Sequence, residues 1–372
     1  MPSALSDLSP HPIVQAPMAG GASCPALAAA VSASGALGFL AAGYKTPEAM
    51  YEEVRQLRAL TDSPFGVNVF MPHRGTPAAS DGPLARPGGA IESYAEQLAG
   101  ESAWYDTPLG DPNTGGEDAY DAKIAVLLDD PVPLVSFTFG CPDRAVLDAF
   151  AHAGTLTAVT VTSASEAQAA QWAGADAVVV QGMEAGGHQA SFRNDPRQDS
   201  ARRGLLTLLA EVGEAVPELP MIAAGGLMRG AQIAAVLAAG AQAAALGTAF
   251  LVCPESGAHP LHKRAITGSL YTRTELTRAF SGRQARGLVN RFLREHGPYA
   301  PAAYPQVHHM TAPLRAAAAQ AGDPQGMALW AGQGFGLARE LPAAELVELL
   351  GEELTAALSG SAGTTGSTGS KL

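Results

Sequence analysis

Short apolar runs alternate along this chain with longer stretches of helical spacing. The runs predict strands at Ile13–Ala16, Leu37–Ala41, Phe65–Phe70, Leu134–Phe139, Leu156–Thr162, Ala177–Val180, Met221–Ala224 and Ala243–Leu246. Helices are expected between them. The first, Ala26–Ser34, has Ser23 as its N-cap, Pro25 in its first turn and Gly35 just past its end. Eight strands alternating with helices predict an α/β fold, a parallel TIM (β/α)8 barrel. Polar and glycine-bearing positions fall where the strands end: Gln15 through Met18, Asn68, Gln181, Gly225-Gly226 and Gly247-Thr248. Active residues of such barrels lie at those ends.

Two stretches break the rhythm. Met71 to Asp130 is rich in Pro, Gly and Asp, with one helical patch near Gly89–Leu98, and reads as an insertion or lid after the third strand. Residues beyond Cys253 exceed the barrel and end in a helix over Pro342–Leu358. The expected organisation is a barrel over 1–252 carrying an insertion at about 71–130, and an extension over 253–358 packed on it. A Gly/Ser/Thr-rich tail over 359–372 is expected to be disordered.

Composition narrows the class. The 372 residues, 47% hydrophobic, are ample for one large core. A net charge of −12 and a pI near 5.2 argue against nucleic acid or an anionic membrane as partner. Three widely spaced cysteines without a CxxC argue against a disulfide framework and a zinc site, and fit a reducing cytoplasm. Neither a signal peptide nor a membrane-spanning run is visible. Ser370-Lys371-Leu372 matches a peroxisomal address. It is taken as coincidence beside an Ala- and Gly-heavy composition that looks bacterial.

Candidate chemistry clusters at the strand ends. Gly225-Gly226 and Gly247-Thr248 each follow a strand and precede a helix. On the last two strands of a barrel such loops bind phosphate through backbone N–H groups. The absence of a P-loop lysine and of an opening GxGxxG favours a mononucleotide flavin over ATP or a nicotinamide dinucleotide. Asn68 and Gln181 are amides at apolar strands. Each offers a donor and an acceptor to an isoalloxazine ring, or bonds structurally to nearby backbone. His188 follows Gly186-Gly187; it either abstracts a proton or, as imidazolium, holds an anion. Glu184 either orients His188 or caps the loop. Ser281-Gly282-Arg283 with Arg286 reads equally as an anion contact or as a solvated helix start. Cys141 and Cys253 read as packed. His308-His309 has no acidic partner spaced for zinc, so no metal site is expected.

Taken together, QAPMAGGAS, FGVNVF, VSFTFGCP, VVQGMEAGGHQ, AAGGLM, LGTAFLVCPES, FSGRQARGLVNRF and WAGQGFGLARELPAAEL resemble the nitronate monooxygenases, formerly 2-nitropropane dioxygenases, of the bacterial class I type. The resemblance runs from about Pro12 to Leu350. It implies an FMN-containing barrel that oxidises alkyl nitronates, notably propionate 3-nitronate, with O2 to an aldehyde plus nitrite or nitrate. It implies FMN contacts at Asn68, Gln181, Gly186, Gly226, Ala245, Leu246, Gly247 and Thr248. Ala16 and Met18 join them as cofactor candidates at the end of the first strand. His188 matches the catalytic histidine. The implied partners are a small nitronate or nitroalkane and O2, with a homodimer left open.

The chain departs from the pattern on the substrate side, where Thr138, Tyr304 and His308 are the candidates. Thr138 stands where relatives often have His. His308 and Ala312 stand where they often carry Tyr and Lys. Loss of that lysine weakens the hold on an anion, and His308 is the candidate replacement. Within the same fold an NAD(P)H:quinone or enoyl reductase is the alternative activity. A non-catalytic flavin-binding protein is the alternative of another class.

Overall fold

The computed structural model describes residues 4–72, 89–114 and 118–362. In chain order the barrel strands are β1 (Ile13–Gln15), β2 (Gly38–Ala41), β3 (Phe65–Phe70), β4 (Leu134–Thr138), β5 (Leu156–Val161) and β6 (Ala177–Gln181). A short β7 (Gly187–His188) stands outside the barrel, which continues with β8 (Met221–Ala224) and β9 (Ala243–Leu246). All eight barrel pairings are parallel, in the order β1-β9-β8-β6-β5-β4-β3-β2. The two ends meet at a bridge between Val14 and Leu37, which closes the curl.

Strand period decides what faces the ligand. Phe65, Val67 and Val69 of β3 point outward into the layer between strands and helices, as do Val135, Phe137, Val178, Val180, Ala244 and Leu246. Leu134, Ala177, Val179, Ala243 and Ala245 fill the barrel's interior instead. The same alternation turns Asn68, Ser136, Thr138 and Gln181 inward at the C-terminal ends of their strands.

The extension grips the barrel mouth. Its β10 (Thr274–Thr277) and β11 (Ala285–Leu288) form an antiparallel sheet with β7, with Ala285 opposite His188 and Arg286 opposite Gly187. The SGRQAR segment therefore starts a strand, not a solvated helix. The last helix, Ala343–Ala362, packs Leu346, Val347, Leu350 and Leu354 against the barrel's outer core. It runs to Ala362, four residues into the stretch where a disordered tail was expected. Residues 363–372, including the terminal triplet, lie outside the described residues.

Two local expectations change. Cys24, not Ser23, is the N-cap of the first helix, Pro25–Ala33. Ser23 turns inward, and its Oγ accepts from the Met18 N–H and from Gln15 Nε2, both at 2.9 Å. The stretch from Met71 to Asp130 holds three helices, Gly89–Gln97, Ala99–Trp104 and Tyr120–Asp129, where the sequence suggested one patch. Tyr120–Asp129 belongs to the barrel's helical ring through Ile124 and Leu127. Its buried Lys123 donates to Ala42 O at 2.9 Å and pairs with Asp118 at 2.8 Å. The Pro and Gly content of the whole stretch masks these short periodic segments. Residues 73–88 and 115–117 lie outside the described residues. Among the described residues no helix is long and apolar enough to cross a membrane.

Candidate active site

A cavity of about 500 Å³ opens at the C-terminal ends of the strands and reaches both the β8 and β9 glycine loops and His188. Ala16, Met18, Asn68, Thr138, Gln181, Gly186, His188, Gly226, Ala245, Gly247 and Thr248 all line it. Leu246 does not. Its side chain points to the helices by strand alternation, and only its carbonyl serves the mouth, accepting from the Ala16 N–H at 2.9 Å. Tyr304 and His308 stand behind the lining, reached through ring contacts.

The glycine loops form a backbone cradle. Gly225 and Gly226 adopt φ of 141° and 69°, which glycine tolerates at no steric cost. The N–H groups of Gly225, Gly226 and Leu227 have no hydrogen-bond acceptor among the described residues. Thr248 Oγ1 accepts from the Gly332 N–H at 2.9 Å, leaving its own proton free for a ligand. The Trp330–Gln333 segment closes over this corner. A Cβ at Gly186 would lie 2.5 Å from Gly332 N, so only glycine lets the two backbones pass.

The two amides do different work. Asn68 Nδ2 donates to Ser136 Oγ and Thr138 Oγ1, both at 2.9 Å, leaving Oδ1 open to the cavity. Thr138 thereby supports Asn68 as well as lining the wall. Gln181 is committed to the histidine loop at both ends: Nε2 donates to His188 O at 3.1 Å and Oε1 accepts from the Ala190 N–H at 2.8 Å. The structural bonds raised for such amides are made by Gln181, which also lines the cavity with one N–H and one lone pair left over. Glu184 also resolves, as a cap: its carboxylate accepts from the Leu205 N–H, 2.9 Å away, at the start of the helix Leu205–Ala215.

His188 sits among three rings, with centroids of Trp330, Phe139 and Tyr304 at 5.6, 5.7 and 5.8 Å. Its Nε2 lies 2.8 Å from Ser281 Oγ. Burial, with the nearby guanidinium groups of Arg283 and Arg315, pushes its pKa down to about 3. It is therefore neutral near pH 7. Arg283 lies beneath Phe139, with Cζ 4.0 Å from the ring centroid. It donates to Gln189 O at 3.3 Å and to Ser191 O, so this motif arginine braces the histidine loop.

His308 stacks on Tyr44 with centroids 4.1 Å apart. Burial and the neighbouring Arg315 push its pKa down to about 2, so it carries no charge near neutrality and does not replace a lysine. Arg315, one helical turn beyond Ala312, lines the cavity instead. An i, i+3 search from Ala312 would have found it in the sequence. Tyr44, Phe139 and Trp330 carry no such local signal, since tertiary contact alone brings Phe139 and Trp330 to His188 and Tyr44 to His308. Burial raises the thiol pKa values of Cys141 and Cys253 to about 11 and 12, which makes them poor nucleophiles. Away from the cavity, Glu101, Glu295 and His296 come close enough to share an ion, but Arg291 already pairs with both carboxylates.

A closed (β/α)8 barrel with a histidine and glycine cradles at its C-terminal face is the architecture of a barrel enzyme. The sequence profile of the nitronate monooxygenases matches residues 2–353. A nitronate monooxygenase of Pseudomonas aeruginosa is 42% identical over 360 residues, covering 92% of this chain and 96% of the relative. The crystal structure of a nitroalkane oxidase from Streptomyces ansochromogenes is 64% identical, with a TM-score of 0.91 over 96% of this chain and all of that one. FabK from Thermotoga maritima shares 28% identity and a TM-score of 0.73 over 96% of this chain and 98% of its own. The chain belongs to the nitronate monooxygenase family, and it is an oxidoreductase.

Proposed function

We propose that this protein binds FMN in the barrel mouth and uses O2 to oxidise small nitronates, such as propionate 3-nitronate, or their parent nitroalkanes. The carbonyl product is accompanied by nitrite or nitrate. The observation that carries this reading is a single cavity shared by the cradle of free N–H groups after β8 and a neutral histidine with an open ring nitrogen. The residues present suit the cofactor. Unpaired backbone donors at Gly225 and Gly226, with the Thr248 hydroxyl, match a phosphate. The free Asn68 Oδ1 matches a ring N–H, and the apolar lining matches a flat ring system. Gly226, Ala245, Gly247 and Thr248 would hold the phosphate end; Ala16, Met18, Asn68 and Gly186 would hold the ring.

When bound, FMN supplies the electron acceptor that couples nitronate oxidation to O2. This chain's residues do the rest. His188 takes the α-proton of a neutral nitroalkane at Nδ1, a step a nitronate does not need. Phe139, Tyr304 and Trp330 hold the imidazole in place and keep water from it. Gln181, Arg283 and the β7–β11 pairing fix the loop that carries it.

The test is anaerobic mixing of the purified yellow protein with propionate 3-nitronate and, separately, with NADH. Bleaching of the flavin by nitronate and not by NADH is expected. A protein that cannot be loaded with FMN, or bleaching by NADH alone, overturns the proposal; the second result would indicate a reductase of the same fold.

A further inference from the structure

Arg315 is the only Lys, Arg, Asp or Glu among the described residues lining the cavity. Its Nε donates to Thr311 Oγ1 at 3.2 Å and its Nη2 to His308 O at 2.9 Å, which tethers the guanidinium to its own helix. Nη1 has no partner, and no carboxylate pairs with the group, among the described residues. A largely desolvated guanidinium with no counterion is a costly arrangement unless an anion completes it.

The other positive groups nearby cannot serve. Arg283 is turned into the loop carbonyls beneath Phe139 and does not line the cavity. Burial and the two arginines keep His188 neutral, and His308 is neutral too. Of the two tasks open to His188 in the sequence, burial and the two arginines disfavour holding an anion as imidazolium. The charge has to come from a group that stays protonated, and Arg meets that requirement.

We infer that Arg315, through Nη1, binds the substrate's anionic group beside the neutral His188, and so supplies the positive charge that holds a nitronate in the cavity. This rests on the proposed nitronate chemistry, with the anchor moved from the missing lysine side of the helix to the next turn. The work divides cleanly: a permanent cation binds, and a neutral imidazole moves protons.

The probe is nitrite, an anion with the same N–O groups, titrated calorimetrically into the FMN-loaded protein. Arg315→Met should weaken nitrite binding about 10- to 100-fold, while Arg315→Lys should keep most of it. Ala312→Glu, which leaves Arg315 in place and puts a carboxylate one turn away, should weaken it as well. In turnover, Arg315→Met should raise KM for ethylnitronate far more than it lowers kcat. FMN content should stay that of wild type. The inference is overturned by a wild-type protein that binds no nitrite, by unweakened nitrite binding in Arg315→Met and Ala312→Glu, or by loss of FMN from the folded Arg315→Met protein. Nitrite binding that depends on Arg315 in a protein with no nitronate turnover would sink the proposed reaction and leave the anion site standing.

Discussion

His188 Nε2 lies 2.8 Å from Ser281 Oγ, and that hydroxyl donates its own proton to Arg283 O at 3.1 Å. A serine hydroxyl has one proton, and we assign it to Arg283 O, so that the hydroxyl accepts from the histidine. On that assignment Nε2 is the protonated nitrogen and Nδ1 carries the lone pair. Ser281 lies 93 residues further along the chain than His188, and in the proposed mechanism it sets which ring atom is to act as base.

Replacing the base tests that assignment. His188→Asn should keep FMN and fold normally while nitroethane turnover falls about 10²- to 10⁴-fold, the range for a positioned general base. Steady-state oxygen consumption and the flavin spectrum check it. Undiminished turnover removes His188 from the mechanism.

Ser281→Ala acts one step back. With the tautomer no longer fixed, kcat for nitroethane should drop about 3- to 10-fold, the equivalent of one neutral hydrogen bond. Ethylnitronate, already deprotonated, should be far less affected. Equal losses on both substrates would assign Ser281 a purely structural role.

Gly186→Ala tests the crossing of the histidine loop and the Trp330–Gln333 segment. The new Cβ would stand 2.5 Å from Gly332 N and 2.6 Å from Ala331 C, both backbone atoms that cannot swing aside. A loss of about 1–3 kcal/mol in stability is expected from overpacking, with a lower flavin-to-protein absorbance ratio. Chemical unfolding and the absorbance ratio report the two effects separately.

Acid should unfold the protein through its buried histidines. His188, His262 and His308 have pKa values lowered to about 3, 4 and 2, in each case chiefly by burial. Between the ordinary value near 6.5 and those lowered values, the unfolded chain binds protons that the folded chain does not. Stability is therefore full above about pH 6.5 and is lost as pH falls, by at most about 1.4 kcal/mol per pH unit for each histidine. Urea unfolding at pH 7, 6 and 5 should show the decline, and His188→Asn should make it shallower. Constant stability down to pH 5 would contradict the burial of all three.

The sequence by itself determined the barrel and the inventory of its mouth. Period-two alternation is a local property of the strand, so Asn68, Thr138 and Gln181 could be placed at the mouth from order alone, as could the Gly225-Gly226 and Gly247-Thr248 loops. The same rule, applied to Leu246, would have sent its side chain outward. What only the tertiary structure decided is which groups meet across long sequence separations. It joined Gln181 to the histidine loop, set Ser281 beside Nε2, buried His308 until it lost its charge, and brought Arg315 to the cavity beside Ala312. Charge state and tautomer depend on burial and on partners supplied by the extension, and neither is encoded in the spacing of residues along the chain.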